Sequence, residues 1–291
     1  MMTRTTDKAR AEGPGNTRFG KTFLALFGLG LLGVLSMIPT VIGQLDALPP
    51  ELADLPAPLA VALSLASPAV LLAISVAIGT LVAHRVGLRS LVARRIRQGN
   101  RIWPDLRPHI PMAFAAGIVL SLVLVGLDQL MDPFADTELL AELVGEVDLL
   151  GQLLVGLLYG GIVEELLLRW GIMSLLVWIG WRLAQRAHGR PRPALVWTAI
   201  TLTALPALVW TAITLTALLF GIGHVPAMAT IVPLTPLIVF RTVVLNGLGG
   251  LLFGWLFWKR NLEVAMVAHA STHVGIFAIN AVVVLLNLGA S

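Results

Sequence analysis

Apolar residues in this chain come in unbroken runs rather than in alternation. The runs cover 22–43, 57–83, 111–131, 149–169, 171–181, 194–224, 234–258 and 262–288. Most reach the roughly 20 residues that a helix needs to cross a hydrocarbon layer about 30 Å thick. Alternation would point to a barrel; continuous runs point to helices, which satisfy their own backbone groups in lipid. The pattern therefore predicts an all-α, polytopic membrane helix bundle with seven or eight transmembrane helices. The first run is too long for a signal-peptide core, and no small-x-small cleavage site follows it, so it reads as a retained span. Ahead of it, residues 1–20 are polar and rich in Gly, Thr and Arg, which predicts a disordered basic tail.

Composition agrees with a bilayer setting. The 291 residues are 57% hydrophobic and only 12% charged, with a mean hydropathy of +0.88. Soluble domains carry roughly 25% charged residues. There is no cysteine, which excludes disulfides, thiolate metal sites and a cysteine nucleophile.

The net charge of +4 hides a separation of signs. Basic residues cluster at 1–21, 85–107, 182–192 and 259–260, and acidic ones at 46–54 and 132–148. Under the positive-inside rule this predicts a cytoplasmic N-terminus, 44–56 outside, 84–110 inside, 132–148 outside and a fourth span running inward. Segment 139–148 reads as a short amphipathic helix on the outer surface. If 182–192 is inside, the 171–181 run lies in the interface or re-enters. A full crossing there would put four arginines outside, hence the choice between seven and eight spans. The basic clusters lack the repeated aromatic interleaving of a nucleic-acid surface, so no nucleic-acid partner is expected.

Residues 193–205 (PALVWTAITLTAL) recur unchanged at 206–218. One tandem copy is not a solenoid period; in a helix it adds about 20 Å. The second copy leads directly to Phe220 and His224, so it is expected to form the working helix. Pro206 is expected either to kink the segment or to open a new helix.

Candidate chemistry concentrates in three short patterns: Glu164-Glu165-x-x-x-Arg169, Phe220-x-x-x-His224 and His269-x-x-x-His273. Ionisable groups in apolar spans cost about 2.5–3.5 kcal/mol each, face bundle interiors and mark functional sites. Three of the six histidines fall in these patterns. Gly160 and Gly161 just before the glutamates allow another helix to come close. Adjacent helical residues point about 100° apart, so the two carboxylates are not expected to share one task. Glu165 and Arg169 are i,i+4 neighbours and can pair, leaving Glu164 for acid–base work. His269 and His273 share one helix face and can bind a metal or donate two hydrogen bonds to one anion, but no acid lies between them as in HExxH. Asp128 and Arg241 are placed where they can reach the interface. Asn246, among glycines, suits helix packing. Tyr159 stands one turn before the glutamates. His84, His109 and His188 lie in basic loops and receive no role.

In order and spacing, the three patterns resemble the motifs of the CAAX protease and bacteriocin-processing family, intramembrane proteases that include the eukaryotic prenyl-protein endoprotease. The resemblance covers roughly 145–288, and it implies 21–144 as N-terminal transmembrane helices and 145–291 as the catalytic transmembrane domain. It implies that Glu164 and His224 orient and deprotonate a water, and that His269, helped by His273, stabilises the oxyanion. Glu165, Arg169 and Phe220 would give structural support. One position departs from the family, which usually has Asn or Asp where this chain has His273. A zinc-dependent variant using His224, His269, His273 and Glu164 is left open by the spacing. Either mechanism needs a water-filled cavity, expected to open to the cytoplasmic side or at mid-membrane. The implied partners are the lipid bilayer and a peptide or membrane-protein substrate, and the implied location a bacterial cytoplasmic membrane. Two other classes compete: a non-catalytic immunity or scaffold protein of the same fold, and a proton-coupled carrier. The carrier is disfavoured by the lack of an inverted repeat in the hydropathy.

Overall fold

The computed structural model describes residues 14–45, 55–131, 148–187 and 194–288, which are helical apart from short turns. Long helices follow the apolar runs closely: α1 (Pro14–Leu35), α3 (Ala57–Val82), α6 (Ile110–Met131), α9 (Ala194–Gly223), α11 (Pro236–Lys259) and α12 (Leu262–Leu288). Short helices join them: α2 (Ile38–Gly43), α4 (Leu91–Gln98), α5 (Ile102–Leu106), α7 (Leu149–Val155), α8 (Ser174–Ala187) and α10 (Val225–Ala229). Between α7 and α8 the backbone of Gly156–Met173 winds with i→i+5 hydrogen bonds. Such π winding is rare, is usually confined to a single turn and is frequent at functional sites.

Among the described residues, six helical segments are long and apolar enough to cross a membrane: Arg18–Gly43, Ala57–Val86, Ile102–Met131, Pro206–Ala229, Pro236–Lys259 and Leu262–Leu286. The helix Leu149–Met173 runs among them, carrying Glu164, Glu165 and Arg169. It touches α1, α3, α9, α11 and α12, so it is the central post of the bundle. Large apolar side chains such as Leu24, Val119, Leu130, Phe240 and Leu285 point outward and stay exposed. In water they would form patches far larger than a soluble monomer carries; in lipid they are the solvated surface.

Two expectations change. Residues 14–20, read as part of a disordered tail, belong to α1: Phe19 stacks on Phe23, and Thr22 Oγ1 donates to the Arg18 carbonyl at 2.9 Å. Aromatic and hydroxyl contacts one turn apart extend the helix ahead of the apolar run that begins at residue 22. The 149–169 and 171–181 runs form one uninterrupted helical path that continues to Ala187. Its last part, α8, packs on Ala83–Val86 and does not qualify as a span. The proposed surface helix 139–148 lies outside the described residues except for Asp148, as do residues 1–13 of the tail. In the duplicated stretch, Pro206 sits inside the continuous helix α9, and the second copy forms the membrane-length part.

The two ends of the bundle differ. At one end lie α4, α5, Arg107, Lys259 and Arg260, with Trp258 packed edge-on against Trp210 and its ring 3.7 Å from Lys259 Nζ. Basic and aromatic side chains together are what a membrane–water interface attracts. At the other end lie α2, Asp148 and the 230–235 turn.

Candidate active site

Local sequence explains how the site is assembled. Helix α12 approaches the central helix where the latter has no side chains. A Cβ on Gly156 would lie 2.5 Å from the His273 ring, one on Gly160 2.6 Å from His273 Nε2, and one on Gly161 3.0 Å from Ala270 Cβ. These glycines let the His269–His273 face settle directly beside the two glutamates. The third helix, α9, ends at Gly223; His224 then turns into α10, whose first turn holds Pro226. The turn brings the His224 ring back over the end of α9.

Glu164 stands between two imidazoles. One oxygen lies 3.7 Å from His224 Nε2 and the other 3.7 Å from His269 Nε2. Each ring is held from its far side. His224 Nδ1 lies 2.7 Å from the Phe220 carbonyl; a carbonyl only accepts, so Nδ1 carries the proton. His269 Nδ1 lies 2.9 Å from Glu165 Oε1. Arg169 Nη1 is 3.2 Å from that same oxygen, so the carboxylate accepts and Nδ1 donates. In the neutral form of each ring, Nε2 therefore turns a lone pair toward Glu164.

The two carboxylates meet one histidine from different sides, each facing a different ring nitrogen. His269 enters between them and offers one ring nitrogen to each, so side chains that diverge along their own helix meet on a third residue. Glu165 and Arg169 do pair as i,i+4 neighbours, both fully buried. Arg169 also donates from Nη2 to the Gly250 carbonyl at 3.1 Å, with its guanidinium 4.9 Å from the Phe220 ring centre and 5.5 Å from that of Phe253. Phe220 meets His224 and His269 edge-on, at 4.7 and 5.7 Å. One aromatic ring thus braces the arginine and both imidazoles.

His273 stacks on His269 at 5.2 Å and lines the cavity. Tyr159 and Asn246 line it too. Asp128 and Arg241 pair with each other: Arg241 Nε donates to Asp128 Oδ1 at 2.6 Å, tying α6 to α11.

Phe253 is the main residue the sequence reading missed. It lies flat against His269, 4.2 Å between centres and 17° between planes. Its signal was present: Gly250-x-x-Phe253 puts the carbonyl that receives Arg169 and the ring that covers His269 on one face of α11. Among phenylalanines in an apolar helix, nothing local sets it apart.

A cavity of about 770 Å³ reaches this constellation. Glu164, Phe220, Phe253 and His269 form its inner part, and Pro39, Thr40, Asp148, Gln152 and Ile231 its outer part. Among the described residues, no group of three or more His, Asp or Glu side chains is gathered as a metal-holding cluster.

The family model described as type II CAAX prenyl endopeptidase Rce1-like matches residues 146–275. The matched stretch contains all three motifs. The match is a similarity to the CAAX protease family over this stretch. No curated protein and no solved structure matches the chain.

Proposed function

We propose that this chain is an intramembrane endopeptidase that hydrolyses a peptide bond in a membrane-associated peptide or protein, with residues 145–291 as the catalytic part. The observation that carries the reading is Glu164 set 3.7 Å from the Nε2 atoms of two histidines at the inner end of a cavity. A water lodged between Glu164 and His224 can donate one hydrogen to the carboxylate and the other to the His224 lone pair. Its own lone pair is then free to attack a carbonyl carbon. Glu164 takes the proton as general base, a role that contributes typically 10²–10⁴-fold.

The tetrahedral oxyanion needs a donor. His269 supplies one once a proton sits on Nε2, where Glu164 can deliver it, while Glu165 holds Nδ1–H. Glu164 or His269 then returns a proton to the leaving amine. His273 supports the His269 ring by stacking, and Arg169 keeps Glu165 in place. Every proton moves between groups within this cluster, and water enters through the cavity.

The test is a peptide-library cleavage assay on purified protein in liposomes, before and after dialysis against a chelator. The expected result is specific cleavage that survives chelation. Cleavage abolished by the chelator and restored by zinc would shift the chemistry to a metal-bound water held by Glu164, His224 and His269. No cleavage of any peptide, with protein shown to be folded, would favour a non-catalytic binding role.

A further inference from the structure

Charge and cavity divide this molecule along the same axis, in opposite senses. The stretch 84–110 holds seven arginines against one acid, and Lys259-Arg260 joins it at the same end. The stretches 44–56 and 132–148, which lead into and out of the spans at the other end, hold three and six acids and no lysine or arginine. Lys and Arg in short loops set orientation, and they stay on the cytoplasmic side.

The arginine end is closed. Glu263, in the first turn of α12, accepts from Ser90 Oγ at 2.7 Å, Leu91 N at 2.8 Å and Val92 N at 3.0 Å. Leu262 N donates to the Arg89 carbonyl at 3.0 Å, and Arg97 Nη2 to the Thr80 carbonyl at 2.8 Å. Beneath this clamp Leu88, Leu91, Leu262, Val264 and Ala265 are buried. No residue lining the cavity comes from this layer. The outer wall instead carries exposed Thr40, Asp148 and Gln152, at the acid-flanked end.

We infer that the reaction centre is reached from the non-cytoplasmic face of the membrane. The substrate is then a polypeptide segment presented at that face, either an exported chain or the outer end of a membrane-anchored one, rather than a cytosolic tail. The substrate half rests on the protease reading above; the direction of opening does not. The sequence left a cytoplasmic or a mid-membrane opening; the Glu263 clamp fills the space a cytoplasmic one would need.

The absence of cysteine makes the test clean, because one introduced thiol is the only thiol. Thr40→Cys and Gln152→Cys report on the cavity mouth, and Asn100→Cys, exposed after α4, on the arginine end. Each variant is expressed in a bacterial host, treated as intact spheroplasts with a membrane-impermeant maleimide, and compared with permeabilised cells. The expected result is full labelling of Thr40→Cys and Gln152→Cys in intact spheroplasts. Asn100→Cys should label at least tenfold more after permeabilisation. The reverse pattern, or equal labelling of both ends, would overturn the inference. Should one mouth variant fail to fold, the other still decides. Labelling needs no catalysis, so a failed protease reading would leave this pattern intact. Cleavage in inverted but not right-side-out vesicles, with labelling as expected, would overturn the substrate half alone.

Discussion

Arg169 shows how much one side chain carries in this site. It is fully buried, faces Glu165, reaches the Gly250 carbonyl and lies between two aromatic rings. Replacing it by Met would leave Glu165 buried without its cation, a loss of about 3–5 kcal/mol for a broken buried pair. Thermal unfolding in detergent should show a midpoint many degrees lower, whereas a neutral result would mean that Glu165 finds another partner. At this scale the sequence was informative wherever charge stood in apolar surroundings. Glu164, Glu165, Arg169, His224, His269 and His273 all stood out, and the structure gathers them. Aromatic Phe253 and the Gly250 carbonyl did not stand out, because apolar rings and backbone oxygens are ordinary in a membrane helix. The tie of Glu165 to His269 was hidden because it joins residues 104 apart in the chain.

At the scale of elements, the fit between the central helix and α12 depends on glycines. Gly160→Ala would drive a methyl group to 2.6 Å from His273 Nε2. Overpacking of this kind costs about 1–3 kcal/mol, and here it also pushes the imidazole face away from Glu164. Cleavage should fall at least tenfold, while Gly28→Ala, which meets nothing within 4 Å, should leave both activity and melting unchanged. Equal behaviour of the two variants would contradict this packing. Apart from α1, which begins eight residues ahead of its apolar run, the long helices were readable from the apolar runs to within a few residues. The π winding of Gly156–Met173 was not, since hydropathy carries no record of which carbonyl an amide meets. The joining of 149–169 to 171–181 was also obscured: the charges Glu164, Glu165 and Arg169 look like a helix end when their partners are unknown.

Taken whole, the molecule is a bundle shut at one end and open at the other. Glu263 joins the last helix to the arginine-rich connection across 173 residues of sequence from Ser90. Glu263→Ala removes three hydrogen bonds to one carboxylate and strands donors that cost about 1–3 kcal/mol each when buried. Its melting temperature should drop, and hydrogen exchange at Leu91 and Val92 should speed up more than at Ile213 in the bundle core. Uniform acceleration instead would mean the clamp is not a local structure. The bundle class, the charge asymmetry and the three motifs were all legible in the amino-acid sequence. Which end the cavity would use was not, because that depends on the clamp, which forms between residues with no common pattern.

The central claim is that Glu164 activates the attacking water. Glu164→Gln keeps the shape of the side chain and removes the base. Cleavage of a peptide selected by the wild-type protein, measured under single-turnover conditions with both proteins equally folded, tests it directly. The rate should fall by about 10²–10⁴-fold. A variant that cleaves within a few-fold of the wild type would contradict the account.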